Sequence, residues 1–196
     1  MRSTVEKWSK EVPYHFQFSF KVSKEITHTK NLEADLSCIG PFVTAAEGAA
    51  EKKGCLLIQF PGKVTLEHFE KVELILHEIQ NQDPLGEWRI ALEFRHASWY
   101  IGETTDLMNE YKAAVVLHDF AKGKILDVMS DADFVYIRFH GPNGDYRDSY
   151  ADKFLKAKAA NITAWLDEGK DVYAYFNNTI GNAFENALKL KSLSEQ

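Results

Sequence analysis

Residues 89–99, RIALEFRHASW, combine the pattern of a buried strand with a cluster of polar side chains. Ile90, Leu92 and Phe94 alternate with residues that include Glu93 and Arg95, and this period of two is typical of a β-strand. Glu93 and Arg95 therefore lie on one face, near the end of the strand. Because a buried charge is costly unless it is paired or used, the stretch predicts a polar site at a strand end.

The same strand pattern recurs along the chain, and helical patterns separate its copies. Besides residues 89–94, apolar or alternating strands are predicted at residues 16–21, 55–60, 113–117, 134–140 and 172–176. Amphipathic helices are predicted at residues 3–10, 41–49, 65–79, 104–112, 152–168 and 183–193. Residues 26–31 are predicted to form a polar loop, and residues 125–129 a short irregular or helical piece. A strand followed by a helix, repeated about six times, indicates a parallel sheet covered by helices.

This repeat predicts an α/β fold of the parallel TIM-barrel type. A closed eight-stranded barrel typically needs about 250 residues, and the chain has 196. We therefore predict a single barrel domain over residues 1–196 with about six of the eight strands. An open doubly wound sheet is the alternative, although no GxGxxG or GKS/T loop supports it.

The composition limits the classes of binding partner and the cellular compartment that we predict for the protein. The net charge of −6 argues against a broad electrostatic grip on nucleic acid, while it leaves a local basic pocket open. Cys38 and Cys55 have no CxxC spacing, which favours reduced, buried thiols and a cytoplasmic location. No apolar run approaches the length of a membrane span, so no membrane partner is predicted.

Every predicted strand ends in polar residues of one parity, and these should gather at one edge of the sheet. In a parallel barrel, the carboxyl ends of the strands are where functional sites are built. The residues that follow this alternation are Lys21, Gln59, Glu93, Arg95, Asp119, Arg138, His140, Tyr175 and Asn177. The predicted site is therefore a ring of polar side chains.

Within this ring several roles stay open. Glu93 fits a general base, a metal ligand or the salt-bridge partner of Arg95. Lys21, Arg95 and Arg138 fit a pocket for phosphate or carboxylate, and they equally fit ion pairs with nearby carboxylates.

The side chains suited to a divalent metal are His140 and Glu93, together with either Asp119 or His118. Their positions along the sequence do not match a metal-binding motif such as HExxH. Tyr146 and Tyr150, like Trp99, fit either stacking on a ring or sugar or packing in the core or a lid.

Six segments also resemble a known family. They are FSFKV at residues 18–22, ITH at 26–28, LIQFP at 57–61, ALEFRHASW at 91–99, YIRFHG at 136–141 and YAYFNN at 173–178. In this order they resemble the YecE-like family, uncharacterised TIM-barrel proteins that carry a domain of unknown function. The site residues that the resemblance implies are Lys21, His28, Gln59, Glu93, Arg95, Trp99, Asp119, Arg138, His140, Tyr175, Asn177 and Asn178.

The resemblance has two further implications. The family's fold has been likened to sugar-isomerase-like and apurinic-endonuclease-like barrels, which use divalent metals, so it implies a metal for which Glu93, Asp119 and His140 are the candidate ligands. Family members carry two strands before the helix at residues 3–10, and this chain lacks them. A barrel without those strands has two unpaired edges, which would permit self-association.

Three functions follow as hypotheses. The first is a hydrolase or isomerase for a phosphorylated or nucleotide-like substrate, with Glu93, His140 and Asp119 catalytic and the other implied site residues binding substrate. The second is a barrel that binds an anion or a nucleic acid without catalysis. The third is an inactive fragment.

Overall fold

The computed structural model describes residues 2–120 and 130–195, and the chain divides into two compact units. The first unit is Met1–Ala113 and the second is Ala114–Gln196. The short piece predicted at residues 125–129 lies outside the described residues. Each unit is a parallel α/β arrangement, as the repeating strand and helix patterns predict.

The first unit contains three parallel strands with helices between them. Its elements are α1 (Arg2–Glu11), β1 (Phe18–Lys21), α2 (Lys24–Thr27), α3 (Ile39–Ala46), β2 (Lys53–Phe60), α4 (Phe69–Gln82), β3 (Arg89–Phe94) and α5 (Gly102–Glu110). Strands β1, β2 and β3 lie side by side in that order. Gln59 of β2 is in register with Glu93 of β3, so the polar strand ends of these two neighbours are level.

Stacked aromatic rings fill the core of the first unit beside this edge. The rings of Phe60 and Phe94 stack with centroids 5.6 Å apart, and Trp99 stacks on Phe94 at 4.3 Å. The indole N–H of the fully buried Trp99 donates to the carbonyl oxygen of Val64 at 2.9 Å. Burial of such large rings contributes strongly to stability and fixes the loop that follows β3.

The second unit contains a second parallel sheet. The elements of this unit are β4 (Ala114–Val115), β5 (Leu117–His118), β6 (Phe134–Phe139), β7 (Arg147–Asp148), α6 (Asp152–Asp167), β8 (Asp171–Phe176), β9 (Ile180–Gly181) and α7 (Ala183–Ser194). Strands β5, β6 and β8 are adjacent and parallel, while the short β7 and β9 pair with each other.

Alternate residues of this sheet face opposite ways. One face contributes side chains of β5 and β6 to a buried core that also contains side chains of α6 and α7. The residues of this core include Leu117, Val135, Ile137, Phe139, Leu155, Ala159, Ile162 and Leu190. The intervening residues His118, Arg138 and Tyr175 are in register with one another across β5, β6 and β8. The period of two therefore separates an apolar helix-facing side from a polar row. The sequence predicts Arg138 and Tyr175 in this row, but it predicts Asp119 where the structure has His118.

The described strands lie in open sheets and form no closed barrel, and the incomplete TIM-type barrel stays a prediction. The structure differs from the sequence predictions in two places. Residues 113–117 form two short strands separated at Val116. The prediction of a polar loop at residues 26–31 is wrong at its start, because α2 forms there: the hydroxyl of Ser23 accepts from the backbone N–H of Glu25 at 3.2 Å, and Ile26 is buried.

Both cysteines are free, Cys55 fully buried and Cys38 partly so. Among the described residues, no helix combines the length and the apolar character that crossing a membrane requires.

The packing of α6 against the second sheet generates a stability prediction. Leu155 is fully buried in the core of that unit, whereas Leu166 on the same helix is 45% exposed. We expect Leu155→Ala to lower the free energy of unfolding by about 2–5 kcal/mol, because it removes buried methyl groups and leaves a cavity. Urea denaturation checks this, with Leu166→Ala as the matched control that changes it by less than about 1 kcal/mol. Equal effects of the two substitutions would contradict this packing of α6 against the second sheet.

Candidate functional site

The second unit places Asp119 and His140 in direct contact at the carboxyl ends of β5 and β6. The backbone N–H of His140 donates to Asp119 Oδ1 at 2.7 Å, and His140 Nδ1 lies 3.3 Å from the same oxygen. An ionised carboxylate only accepts hydrogen bonds, so Nδ1 is the donor in this contact. The neutral imidazole then carries its proton on Nδ1 and a lone pair on Nε2, which is the tautomer of a general base.

Tyr150 holds the other oxygen of the same carboxylate. Its hydroxyl donates to Asp119 Oδ2 and accepts from the backbone N–H of Gly141 at 2.6 Å. The ring is buried and packs edge-on against Phe139, with centroids 5.6 Å apart. Both oxygens of Asp119 are therefore fixed by donors, and His140 is oriented by a carboxylate that cannot rotate freely.

These contacts set the charges of the site. Burial raises the pKa of the Asp119 carboxyl, but hydrogen bonds from His140 and Tyr150 outweigh it and leave the pKa below its ordinary value. Burial, and then the hydrogen bond to Asp119, raise the pKa of the Tyr150 phenol. At neutral pH the pair is thus a carboxylate and a protonated phenol.

Aromatic rings surround the imidazole of His140, which is fully buried. Tyr146, Phe120 and His118 each meet it nearly at right angles, with centroid distances of 5.4, 5.8 and 6.2 Å. Such a surrounding excludes water and strengthens the hydrogen bonds of the ring.

The loop from residue 141 to residue 150 has the backbone needed to bring Tyr150 back to Asp119. Gly141 has φ +99°, and a Cβ there would lie 2.5 Å from the carbonyl oxygen of Arg147. Tyr146 and Asp148 also have positive φ, at 68° and 62°. Residues other than glycine rarely adopt a positive φ, and they keep it where the surrounding structure enforces it.

A network of amides anchors that loop to α7. Asn186 Oδ1 accepts from the backbone N–H of Tyr150 at 3.2 Å and from Asn178 Nδ2 at 3.1 Å, and Asn186 Nδ2 donates to Ser149 Oγ at 3.0 Å. Asn178 Nδ2 also donates to the carbonyl oxygen of Asp148 at 2.8 Å. Asn178, which the family resemblance implies as a site residue, lies here as part of the support for Tyr150.

Arg138 occupies the polar row beside this site. It lies two residues before His140, in register with His118 on one side and Tyr175 on the other. With its amide oxygen turned toward the guanidinium, Asn177 accepts from Arg138 Nε and Nη2 at 3.2 and 3.3 Å. Arg138, Tyr175 and Asn177 are partly exposed, so these three predicted residues come together where a ligand can reach them.

In the first unit, Glu93 and Arg95 form a buried ion pair. The nearby Tyr100 hydroxyl donates to the carbonyl oxygen of Phe94 at 2.6 Å. Burial, and next the charge of Glu93, raise the pKa of Tyr100, while Arg95 opposes the shift. Of the roles open to Glu93, the salt bridge is present in the structure, and its role as a general base stays a prediction.

The first unit also carries a basic group around His28. Burial lowers the pKa of His28, and the charges of Lys21, Lys24 and Lys63 lower it further. Lys63 Nζ donates to the carbonyl oxygen of His28 at 3.3 Å, and Lys21 Nζ donates to Gln59 Oε1 at 2.7 Å. Positive potential of this kind favours an anion. Trp99, also implied as a site residue, lies in the core instead.

The residues do not fit the divalent metal that the family resemblance implies. Residues 2–120 and 130–195 contain no group of three or more His, Cys, Asp or Glu side chains placed to hold a metal ion. In addition, both oxygens of Asp119 already accept hydrogen bonds from Tyr150 and His140.

Sequence reasoning missed two parts of this site. Asn186 lies on a helix whose pattern gives no polar signal at that position, and the sequence indicates Tyr150 only as a ring that stacks on a ligand or packs in the core. Their roles depend on hydrogen bonds to Asp119 and to the loop, 31 and 36 residues away along the chain. No residue spacing in the sequence predicts such contacts.

Comparison with known proteins places these observations in a family context. A family model described as "Protein of unknown function DUF72" matches residues 1–196. The structure is similar to a crystal structure of a DUF72 family protein from Enterococcus faecalis, with a TM-score of 0.83, 23% identity, and coverage of 100% of this chain and 80% of that one.

A second similar crystal structure is that of a DUF72 family protein from Thermotoga maritima. Its TM-score is 0.80 at 22% identity, and again 100% of this chain and 80% of the other are covered. At these identities the similarity shows the fold alone. No curated protein matches the chain.

The Asp119–Tyr150 hydrogen bond generates a prediction with a defined pH dependence. We expect Tyr150→Phe to lower the free energy of unfolding at pH 7 by about 1–3 kcal/mol, because Asp119 and the N–H of Gly141 each lose a partner. Since the folded pKa of Asp119 lies below its unfolded value of about 3.9, the stabilisation of the ionised carboxylate is present above that pH. It is lost as the pH falls through the folded pKa.

Urea denaturation between pH 7 and about pH 2 measures this effect. The difference between wild type and Tyr150→Phe should be constant at neutral pH and should narrow at the acidic end. Tyr14→Phe is the matched control, since Tyr14 is 91% exposed. A difference that stays the same at every pH would mean that the phenol does not stabilise the ionised form of Asp119.

Proposed function

The chain belongs to the DUF72 family of proteins of unknown function, and we propose that it is an acid–base enzyme for a small anionic substrate. The proposed site lies in the second unit, at the carboxyl ends of β5, β6 and β8. Its general base is His140, and its anion-binding residue is Arg138. A phosphorylated or nucleotide-like substrate fits this pair, because a guanidinium binds phosphate through two parallel hydrogen bonds.

The observation that carries the proposal is the contact of His140 with Asp119. A buried carboxylate that accepts from Nδ1 leaves the lone pair on Nε2, and it stabilises the imidazolium that forms when Nε2 takes a proton. Tyr150 and the amide network keep that carboxylate in place. An oriented histidine of this kind favours a catalytic role over simple ligand binding.

The remaining residues of the polar row supply binding. Arg138 is positioned by the amide oxygen of Asn177 and is level with Tyr175 on the next strand. An anion held at Arg138 lies next to His140, since His140 directly follows β6 and is two positions after Arg138. Both hydrolysis and isomerisation of a phosphorylated compound use a base beside an anion site, and the proposal covers both reactions.

Three finer proposals accompany this function. The TIM-type barrel arrangement of about six strands in a single domain is supported by the strand and helix order, and self-association by the unpaired strand edges that an incomplete barrel has. A cytoplasmic location is supported by the two free cysteines.

Turnover in D₂O tests the acid–base function directly. The full chain is incubated with ribose 5-phosphate, glucose 6-phosphate and nucleoside monophosphates. Deuterium incorporation is followed by ¹H NMR and phosphate release by colorimetry. We expect one of these reactions, and we expect His140→Gln to slow it by about 100-fold or more, because the general base is lost.

His15→Gln is the control, because His15 is exposed and lies in the first unit. It should leave the rate unchanged. Absence of both reactions with every compound, or full activity of His140→Gln, would contradict the proposal.

A second candidate function is anion binding without catalysis in the first unit. The lysines that lower the pKa of His28 favour it, because they create positive potential around a partly buried ring. We expect inorganic phosphate to shift the NMR signals of His28 in wild type and to bind at least about tenfold more weakly to the double variant Lys21→Ala, Lys63→Ala. Lys7→Ala on α1 is the control. If phosphate shifts the His28 signals equally in all three proteins, the lysines do not form an anion site.

A further inference from the structure

We propose that His118 is a second catalytic residue, which donates a hydrogen bond from Nε2 to the substrate oxygen on which negative charge develops. This inference rests on the proposed function of His140 as a base. It narrows the substrate to an anionic compound with a carbonyl group next to the C–H bond that loses its proton. The metal-ligand role considered for His118 from the sequence is replaced by a hydrogen-bonding role.

The contact of His118 with the backbone sets its tautomer. The N–H of Phe120 donates to His118 Nδ1 at 3.3 Å. A ring nitrogen that accepts a hydrogen bond carries no proton, and a neutral imidazole then has its proton on the other nitrogen. His118 is therefore a donor at Nε2. His140 has the opposite tautomer, since its Nδ1 donates to Asp119.

The burial of His118 favours its neutral form. The residue is 1% exposed, so a positive charge on the ring would be poorly solvated. Protonation of Nδ1 would also place an N–H against the N–H of Phe120 and remove their hydrogen bond. A neutral imidazole in such a place acts as a fixed hydrogen-bond donor, the kind of group that stabilises a developing oxyanion.

The second sheet places His118 beside Arg138, and His140 follows Arg138 by two residues. His118 is in register with Arg138 on the neighbouring strand, and adjacent strands lie about 4.8 Å apart. The rings of His118 and His140 have centroids 6.2 Å apart and an interplanar angle of 89°. An anion bound at Arg138 can therefore present one small reacting group to both imidazoles.

The proposed step is a proton transfer that needs no other reactant. His140 Nε2 takes the proton from the carbon next to the carbonyl. The electron pair of the C–H bond forms a C=C bond, and the carbonyl π pair moves to the oxygen, which accepts the hydrogen bond from His118 Nε2. Where the carbon that loses its proton carries a hydroxyl group, the product of this step is an enediolate. Return of the proton from His140 Nε2 to the same carbon regenerates the substrate. Return to the former carbonyl carbon gives the isomeric carbonyl compound, and the hydroxyl proton then moves to the oxyanion.

Two substitutions separate the two nitrogens of His118. His118→Asn keeps an oxygen where Nδ1 accepts from the N–H of Phe120, and it removes the donor at the position of Nε2. His118→Gln extends to the position of Nε2 and keeps an N–H there. We expect His118→Asn to slow deuterium incorporation into the sugar phosphate about 100- to 1000-fold, and His118→Gln to stay within about tenfold of wild type.

A measurement on the wild-type chain makes the inference independent of turnover. Long-range ¹H–¹⁵N NMR should show the proton of His118 on Nε2. Addition of 2-phosphoglycolate, whose carboxylate resembles the enediolate, should move that N–H proton downfield. A proton on Nδ1, or an Nε2–H signal unchanged at a saturating concentration of 2-phosphoglycolate, would overturn the inference even if neither variant folds.

The outcomes distinguish this inference from the proposed function. If His118→Asn is as active as wild type while His140→Gln is inactive, the role of His118 is wrong and the acid–base function stands. If His140→Gln is fully active, the proposed function fails, and the inference fails with it. Loss of activity in both His118 variants, with the fold retained, would also overturn the inference, because the donor at Nε2 would then not be what matters.

Discussion

The buried carboxylate of Asp119 is the constraint on which the second unit depends. A charge removed from water must recover its hydrogen bonds inside the protein, and Asp119 does so with the backbone and ring of His140 and the hydroxyl of Tyr150. Tyr150 reaches it only because the chain turns back sharply after β6, with positive φ at Gly141, Tyr146 and Asp148. The strained loop and the amides that anchor it thus follow from one charge, and the orientation of His140 is the result.

The first unit satisfies its buried charge in a different way. Glu93 pairs with Arg95 two residues away on the same face, so the ion pair is local. A local pair stabilises the strand end without fixing any distant loop, whereas Asp119 ties together segments that are far apart in the chain. This difference is one reason why we propose His140 and its neighbours, rather than Glu93, for the chemistry. The basic group around His28 stays the better place for an anion without catalysis.

Much of the fold could be predicted because parity and periodicity are local properties. Five of the six predicted strands overlap single strands of the structure, the strand predicted at residues 113–117 is divided into β4 and β5, and the polar row of β6 and β8 has the predicted parity. Prediction was wrong where tertiary contacts outweighed composition. The segment ITH, predicted as a polar loop, begins within helix α2 because Ile26 is buried.

The sequence by itself determined the parallel α/β class, the strand positions and which polar side chains share a face, because each depends on neighbours only a few residues away. Only the tertiary structure decided which partners those side chains have. The bonds of Asp119 to His140 and Tyr150 join residues 21 and 31 positions apart, and the tautomer of His140 follows from the first of them. A hydrogen bond depends on distance and direction in space, so no spacing along the chain specifies it.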